Sequence, residues 1–335
     1  MPKVAPYNIH TDLETFGPSR IKPLTPAEAA DYTRNITLSH YENFTVVSWF
    51  LPKPLRPHFA NVYAFCRWAD DLGDEMGNTT KSAELLRWWQ SQLDLCYAGK
   101  PEHPVFIALA PTIDQFDIPK KPFTDLIDAF IQDQTVTRYD TWDQVLDYCT
   151  RSADPVGHLV LYMCGYRDAE RQKLSNATCT ALQLTNFWQD IRRDIIDRDR
   201  VYMPSDIASQ HELTVSSLVD AIRFDENNRN PKACLACPTG TIALSALRVS
   251  AQKTVRSLVQ KTWPLFTEGE KLFPMVSPSV RLDIKLFSKG GQAILRMIES
   301  RGYDTFTTRP SLSKPAKLSL MFSAFFGKIL TFGRS

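Results

Sequence analysis

The feature that most constrains this chain is an acidic segment that runs from Leu182 to Asp194. If this segment is a helix, Gln183, Asn186, Asp190 and Asp194 fall at positions i, i+3, i+7 and i+11. That spacing places amides and carboxylates along a single helix face. A line of oxygen donors of this kind can hold a metal ion.

A second acidic segment lies upstream, from Asn61 to Glu75. Helical spacing places a phenol, a guanidinium and several carboxylates on one of its faces. These side chains belong to Tyr63, Arg67, Asp70, Asp71 and Asp74. We expect the two acidic helices to oppose each other across a cavity. Carboxylates gathered in an apolar interior repel one another and are costly to desolvate, so a cation is expected among them.

Mg²⁺ is the cation that this donor set favours. Oxygen ligands without nearby His or Cys suit hard divalent ions, and Mg²⁺ is usually held by a few carboxylates together with phosphates of its substrate. The candidate ligands are Asp70, Asp71, Asp74, Asn186, Asp190 and Asp194. The alternative is a pair of ordinary amphipathic helices with solvated acids. Amide and arginine companions in register with the acids favour the metal site.

Composition excludes several classes of protein. The chain has 39 basic and 37 acidic residues, so no basic surface argues for nucleic acid. No segment supplies the roughly 18 to 20 uninterrupted apolar residues of a membrane span, and the N-terminus lacks the apolar run of a secretory signal. The seven cysteines are odd in number and are interpreted as cytosolic thiols, so a cytoplasmic location is expected. The lone pair Cys234 and Cys237 is interpreted as an ordinary loop.

Strand signals are scarce, which predicts an all-α fold. Residues 1–25 are expected to be an irregular arm, and Thr25 followed by Pro26 predicts a helix start. Apolar spacing predicts helices over Leu85–Tyr97 and Phe123–Gln134. A helix interrupted near the cavity wall is predicted at Tyr148–Gly157, and a polar loop at Asp225–Pro231. Breaks between helices are predicted at Pro101, Pro104, Pro111, Pro119 and Pro122.

The C-terminal tail, residues 312–335, is too short and too interrupted to span a bilayer. An apolar face with lysines beside it suits a helix that lies in a membrane surface. This face consists of Leu318, Met321, Phe322, Phe325 and Ile329. Packing of the tail on the protein's own body is the alternative.

The two motifs, Tyr63-x-x-x-Arg67-x-x-Asp70-Asp71-x-x-Asp74 and Gln183-x-x-Asn186-x-x-x-Asp190-x-x-x-Asp194, are followed by Arg200-x-Tyr202-x-Pro204. Together they resemble the squalene and phytoene synthase family, from about His40 to about Tyr303. The resemblance implies one domain over residues 1–335, an isoprenoid synthase type I helical bundle with a central active-site cavity, and head-to-head prenyl chemistry on farnesyl diphosphate. The chemistry implied is metal-assisted loss of diphosphate, with an aromatic lining that shields the resulting cation.

The resemblance also implies roles for individual residues. Catalysis is assigned to Tyr63, Arg67, Asp70, Asp74, Asp190 and Asp194. Contacts with substrate or diphosphate are assigned to Asn43, Arg67, Gln183, Asn186, Arg200, Tyr202 and Tyr303. Many relatives carry Ser where Tyr41 and Asn43 stand in this chain. The candidate cavity lining is Phe44, Phe65, Phe187 and Trp188.

Three stretches are similar to one branch of the family, the bacterial hydroxysqualene synthases of hopanoid pathways. They are Glu42–Phe44, Arg151–Gly157 and Asn186–Asp190. In that branch presqualene diphosphate is ionised and the rearranged cation is captured by water, so no NADPH is expected. Gln189 stands where condensing relatives usually have Arg, and we hypothesise that it admits or orients this water.

Two other functions remain open. The first is a condensing synthase that makes presqualene diphosphate, squalene or phytoene. The second is a non-catalytic assembly factor, but such relatives have eroded acidic motifs and this chain retains all five aspartates. Docking with a presqualene diphosphate synthase and with a downstream squalene-forming oxidoreductase is a further expectation about partners, as is peripheral contact of the tail with the inner face of the membrane.

Overall fold

The computed structural model describes residues 7–39, 52–229 and 241–311. These ranges are built from α-helices and contain no β-strand, apart from one isolated parallel bridge between Arg138 and Val201. The prediction of an all-α fold is therefore confirmed.

The chain divides into two compact units. The first unit comprises Met1–Thr135, Thr150–Asn176 and Pro274–Asp283, and the second comprises Val136–Cys149, Ala177–Phe273 and Ile284–Ser335. A single domain over residues 1–335 stays a prediction.

The helices follow one another with short connections. In chain order they are α1 (Ile9–Phe16), α2 (Pro26–Ser39), α3 (Arg56–Asp74), α4 (Thr79–Tyr97), α5 (Pro104–Phe116), α6 (Lys121–Gln132), α7 (Trp142–Ser152), α8 (Asp154–Met163), α9 (Ala169–Arg198), α10 (Ser205–Ser209), α11 (Val215–Arg229), α12 (Thr241–Glu270) and α13 (Pro278–Ser300). Short 3₁₀ turns cover Lys53–Leu55 and Phe273–Met275. The first acidic motif lies on α3 and the second on α9.

An aromatic cluster in the core of the first unit fixes the orientation of α3. The rings of Trp68 on α3 and Trp89 on α4 stack at 5.2 Å with an interplanar angle of 8°. The fully buried His103 ring meets these two rings edge-on, at 4.6 and 4.8 Å. Phe65 and Leu72 are likewise fully buried. Because these residues occupy one face of α3, the polar residues of the motif at the intervening positions lie on its other side.

The prediction that residues 1–25 are irregular is wrong for α1. Asn8 caps this helix, since its side-chain oxygen accepts hydrogen bonds from the backbone N–H groups of His10 and Thr11 at 3.1 and 3.2 Å. Ile9 and Phe16 are buried, so packing stabilises a helix too short to be stable alone. The predicted start of α2 at Pro26 is confirmed.

Of the predicted proline breaks, the one at Pro111 is wrong, whereas Pro104 and Pro122 mark the starts of helices. Pro104 and Pro122 lie in the first turns of α5 and α6, where a proline leaves no helical hydrogen bond unmade. Pro111 lies inside α5, a helix that the sequence pattern did not predict. Burial of Phe106 and Leu109 on the same helix offsets the hydrogen bond that Pro111 cannot donate.

The other predicted boundaries have mixed outcomes. Helices over most of Leu85–Tyr97 and Phe123–Gln134 are confirmed as α4 and α6, and the predicted break in Tyr148–Gly157 falls at Ala153, between α7 and α8. The predicted loop at Asp225–Pro231 is wrong as far as Arg229, because α11 continues through it. Arg192 of α9 forms ion pairs with Asp225 and Glu226, which stabilises this last part of α11.

Several predictions fall on residues outside the described ranges. They concern Asn43 and Phe44, the pair Cys234 and Cys237, and the tail over residues 312–335. Among the helices that are described, none combines the length and the apolar character needed to cross a membrane.

Two glycines of the second unit give a matched test of helix packing. A Cβ added to Gly269 on α12 would lie 2.0 Å from the hydroxyl oxygen and 3.0 Å from the backbone nitrogen of Thr178 on α9, whereas a Cβ added to Gly290 on α13 would meet nothing within 4 Å. We expect Gly269→Ala to destabilise the protein by about 1–3 kcal/mol through overpacking. Gly290→Ala should stabilise it by about 0.5–1 kcal/mol, because alanine favours a helix. Urea unfolding midpoints measure both, and equal midpoints would contradict the close approach of α9 and α12.

Candidate functional site

The first acidic motif contains a closed network around Asp71. This side chain is buried, and its Oδ2 accepts hydrogen bonds from Arg67 Nε at 2.9 Å and from the Tyr7 hydroxyl at 2.8 Å. Its Oδ1 accepts from Arg67 Nη2. Burial raises the pKa of the Asp71 carboxyl, and the Arg67 guanidinium and the Tyr7 hydroxyl oppose that rise. Both carboxylate oxygens are therefore engaged by protein donors.

The other two acids of this motif lie nearer to solvent. The side chain of Asp70 is 44% exposed, and its Oδ2 lies 3.5 Å from Arg67 Nη1. Asp74 is half-buried at the last position of α3. Gln134 Nε2 donates to the carbonyl oxygen of Gly73 at 3.2 Å, which fixes the end of the helix beside Asp74. Asp70 and Asp74 are therefore more exposed to solvent than the buried Asp71.

Tyr63 lies one turn before Arg67 on the same helix and is half-buried. Burial raises the pKa of its phenol, so the hydroxyl stays protonated near neutral pH. Phe65, a candidate for the cavity lining, is fully buried and its ring meets that of Phe123 at 4.8 Å. The structure therefore places Phe65 in the core of the first unit.

The second acidic motif lies on α9, as its spacing predicts. Asp190 is buried, and its Oδ2 accepts hydrogen bonds from Asn186 Nδ2 and from Arg309 Nη2, both at 3.1 Å. Arg309 Nε also donates to Asp190 Oδ1, so the ion pair is bidentate. Asn186 itself is exposed and Gln183, one turn earlier, is half-buried. The structure thus brings Asn186 and Asp190 into contact.

Asp194 lies one turn beyond Asp190 and has an unusual pKa of about 7. Burial is the larger cause, and the negative charge of Asp190 adds to it, while the charges of nearby arginines oppose the rise. These arginines are Arg198, Arg193 and Arg200. A carboxyl in this environment is about half protonated at neutral pH. A bound cation would favour its ionised form.

The segment after α9 holds Arg200 and Tyr202 in fixed positions. The backbone N–H of Arg200 donates to the Asp194 carbonyl oxygen at 3.0 Å, and the guanidinium is buried within the second unit. Asp199 has a left-handed backbone with φ of 52°, and its carboxylate accepts from Arg138 and Arg223, each at 2.6 Å. These ion pairs stabilise the turn that places Arg200 beside the second motif.

Tyr202 lies in an aromatic cluster of the second unit. Its ring stacks on that of Phe187 with centroids 3.8 Å apart and an interplanar angle of 6°. Tyr139 and Tyr148 pack around the same pair, with ring centroids 5.8 and 5.6 Å from that of Tyr202. Trp188 is fully buried and donates its indole N–H to Thr262 at 2.9 Å. Phe187 and Trp188 thus lie in this unit's interior.

Residues 304–311, which we call the C-terminal strap, are tied to α9 by three contacts. Arg309 pairs with Asp190, the Pro310 carbonyl oxygen accepts from Gln189 Nε2 at 2.6 Å, and the Phe306 carbonyl oxygen accepts from Arg192 at 3.1 Å. The strap was not predicted to contribute to the site. Arg309 is 119 residues from Asp190 in sequence, so no local pattern relates the two residues.

Two further predicted residues lie at or near the strap. Tyr303 precedes it in a left-handed turn with φ of 62°, and its backbone N–H donates to Ile298. Gln189 is buried and its amide is bound to the strap. The proposed role of Gln189 toward water therefore stays a hypothesis. Among the described residues, no group of three or more His, Cys, Asp or Glu side chains is close enough to hold one metal ion.

Comparison with known proteins identifies the family. A squalene/phytoene synthase family model matches residues 38–316. The crystal structure of squalene synthase HpnC from Alicyclobacillus acidocaldarius is 39% identical, with a TM-score of 0.70, and the match covers 84% of this chain and 97% of that one. A hydroxysqualene synthase of Sinorhizobium fredii is 32% identical over 55% of this chain and 62% of that protein. A phytoene synthase of Arthrospira platensis is 26% identical over 86% of this chain and 89% of that protein. With both acidic motifs in place and the family model matched over most of its length, this chain belongs to the squalene/phytoene synthase family.

Proposed function

We propose that this protein is a hydroxysqualene synthase, which converts presqualene diphosphate and water into hydroxysqualene and diphosphate. The observation that supports the proposal is a difference in sequence identity between two groups of relatives. Three hydroxysqualene synthases are 32–35% identical to this chain, whereas the phytoene synthases compared are 24–29% identical. The matches to the hydroxysqualene synthases span only 50–55% of this chain, so the branch needs a direct test.

Members of this family act on prenyl diphosphates such as farnesyl or presqualene diphosphate and generally depend on a divalent metal. The donors of the two motifs are carboxylate and amide oxygens, which fit Mg²⁺. We propose that Asp70, Asp74, Asn186, Asp190 and Asp194 supply ligands to Mg²⁺ ions, together with the phosphates of the substrate. When bound, Mg²⁺ would neutralise the diphosphate and so improve it as a leaving group.

The chain's own residues would contribute fixed positive charge. Arg67 is oriented by Asp71 in the first unit, and Arg200 is held by the turn at Asp199 in the second. We propose that both guanidinium groups bind diphosphate oxygens, since arginine presents paired donors to phosphate. Gln183, Tyr63, Tyr202 and Tyr303 are proposed to contact the substrate.

The proposed reaction needs no reductant. The carbon–oxygen bond to diphosphate breaks and the electron pair leaves with diphosphate. After rearrangement, a water oxygen forms a new bond to carbon and releases one proton. Oxidation states balance without NADPH, so we propose that none is used.

A condensing synthase is the second candidate. The match to the phytoene synthase of Arthrospira platensis supports it, because that match spans 86% of this chain. Such an enzyme would join two prenyl diphosphates and use the same acidic motifs. A non-catalytic assembly factor is disfavoured because Asp70, Asp74, Asp190 and Asp194 are all retained.

Product analysis separates the candidates. The purified protein is incubated with Mg²⁺ and without NADPH, with presqualene diphosphate in one reaction and farnesyl diphosphate in another. Hydroxysqualene from the first reaction and no product from the second supports the proposal. Presqualene diphosphate or a C30 hydrocarbon from the second would establish a condensing synthase. Absence of product in both, with EDTA-treated protein as the blank, would favour a non-catalytic role.

The pKa of Asp194 predicts how cation binding depends on pH. Mg²⁺ binds the carboxylate form, and the metal-free carboxyl has a pKa of about 7 because it is buried beside Asp190. We expect the apparent Mg²⁺ affinity to rise about tenfold per pH unit below pH 7 and to level off above it. Titration calorimetry in buffers of different ionisation enthalpy measures the proton released. A flat profile between pH 5.5 and 8 would contradict the assignment of Asp194 as a ligand.

The remaining proposals concern location and partners. We propose a cytoplasmic protein whose tail, residues 312–335, contacts the inner face of the membrane and which docks with a presqualene diphosphate synthase and a squalene-forming oxidoreductase. The supporting observations are the lysines and the apolar face of the tail and the apolar nature of the proposed substrate and product.

A further inference from the structure

The N-terminal arm reaches the first acidic motif through Tyr7. The Tyr7 hydroxyl donates to Asp71 Oδ2 at 2.8 Å, across 64 residues of sequence. Its ring lies against Trp68, with centroids 6.3 Å apart. Tyr7 is therefore held both by its ring and by its hydroxyl.

The helix that follows Tyr7 is itself anchored. Tyr32 on α2 donates its hydroxyl to Asp12 on α1 at 3.0 Å and accepts a hydrogen bond from the Trp68 indole N–H at 3.1 Å. Phe16, at the end of α1, meets the Tyr32 ring edge-on at 5.2 Å. These contacts fix α1 against α2 and α3, and so they fix the residue immediately before its cap.

Asp71 acts on Arg67 and has little capacity left for a metal. It is 2% exposed, and three donors already occupy its two oxygens. A carboxylate offers about four acceptor sites, so these three bonds and the burial leave Asp71 little capacity to bind a metal ion. Asp71 was predicted as a metal ligand, and its surroundings favour a different role.

The two bonds from Arg67 to Asp71 determine which edge of the guanidinium is presented. Nε and Nη2 both bind Asp71, which fixes the guanidinium plane. Nη1 lies on the remaining side, 3.5 Å from the half-exposed Asp70. The Arg67 side chain is 27% exposed, and Nη1 is the guanidinium nitrogen that does not bind Asp71.

We propose that Tyr7 and Asp71 are positioning residues that hold the Arg67 guanidinium with its Nη1 edge toward a diphosphate. The proposal rests on the proposed function for its ligand, because a prenyl diphosphate supplies the oxygens that Arg67 would bind. Asp71 orients Arg67 directly, and Tyr7 orients Asp71. Burial and the Asp71 charge raise the pKa of the Tyr7 phenol, so Tyr7 remains a hydrogen-bond donor throughout the neutral range.

The test compares two tyrosines that make the same kind of bond. Tyr7→Phe removes the hydroxyl that binds Asp71, and the control Tyr32→Phe removes a hydroxyl that binds Asp12 on the same arm and also accepts from the Trp68 indole N–H. The probe is inorganic diphosphate with Mg²⁺, measured by titration calorimetry. We expect Tyr7→Phe to weaken binding about fivefold and Tyr32→Phe by less than about twofold, since the first loses a charge-assisted bond that orients Arg67. Urea midpoints of both variants show whether each remains folded.

A spectroscopic measurement reports on Arg67 itself. Arg67→Lys assigns the Nε–H resonance of Arg67 in ¹⁵N-labelled protein, and Tyr7→Phe should shift that resonance and speed its exchange with water. An unchanged Arg67 resonance together with unchanged diphosphate affinity would overturn the proposal. Equal weakening by Tyr7→Phe and Tyr32→Phe would also overturn it, because loosening of the arm would then explain the effect.

The failure of this inference can be told apart from the failure of the proposed function. Binding of inorganic diphosphate requires no turnover. Hydroxysqualene formation by the wild type with unaltered diphosphate binding in Tyr7→Phe contradicts the positioning role alone. Weakened binding in Tyr7→Phe, without product from presqualene diphosphate in the wild type, supports the positioning role and contradicts the proposed reaction.

Discussion

Asp190→Asn is expected to lower the rate of diphosphate release from presqualene diphosphate by about a thousandfold or more, and Asp70→Asn by a similar factor. Each substitution removes one negative charge from a proposed metal site and preserves the size of the side chain. Asp190 is buried, so solvent screening does not offset the loss of its negative charge. The measurement is the single-turnover rate of diphosphate release at saturating Mg²⁺.

Asp197→Asn is the matched control for this loss. Asp197 lies on the same helix as Asp190, but it is exposed and pairs with Arg193 at 3.5 Å. An exposed pair of this kind contributes little to stability, so activity and the urea midpoint should stay close to those of the wild type. Retention of more than a tenth of the wild-type rate in Asp190→Asn would show that this carboxylate is not needed, and the metal assignment would then fail.

The helices that carry the two motifs were predictable because their signal is local. Four polar side chains at helical spacing on α9, with apolar residues between them, are sufficient to predict that helix and its polar face. The contact of Asn186 with Asp190, four residues apart, follows from the same spacing. The sequence pattern on α3 likewise separates Arg67 and Asp70 from the buried Phe65 and Trp68.

Features that depend on tertiary contacts were not predictable in this way. The pattern gave Asp71 and Asp70 the same role because they are adjacent acids, but only the folded chain brings Tyr7 to Asp71. Asp225 lies in a polar run typical of a loop, yet its ion pair with Arg192 keeps the segment helical. Pro111 indicates a break unless the burial of its neighbours is known. In each case the deciding partner is distant in sequence.

Arg309 is the most distant of these partners, and Arg309→Gln is expected to tighten Mg²⁺ binding to the substrate-free protein about thirtyfold. In the structure its guanidinium forms a bidentate ion pair with Asp190. A cation that binds Asp190 competes with this pair, and hydrogen bonds to charged groups contribute about 1.5–3 kcal/mol each. Glutamine keeps one neutral donor and removes the competing charge. Titration calorimetry with Mg²⁺, or the paramagnetic probe Mn²⁺, measures the change in affinity.

Arg301→Gln is the control, because Arg301 is exposed just before the same strap and touches Thr308 at 3.5 Å instead of Asp190. Its Mg²⁺ affinity should match that of the wild type. Weaker Mg²⁺ binding in Arg309→Gln would show that the strap supports the metal site. Tighter binding would show that Arg309 neutralises Asp190 until a cation replaces it.

Replacement of the ion pair by a metal ion would also loosen the strap, because Arg309, Pro310 and Phe306 are all tied to α9. Faster proteolysis near Arg309 on addition of Mg²⁺ would report that release.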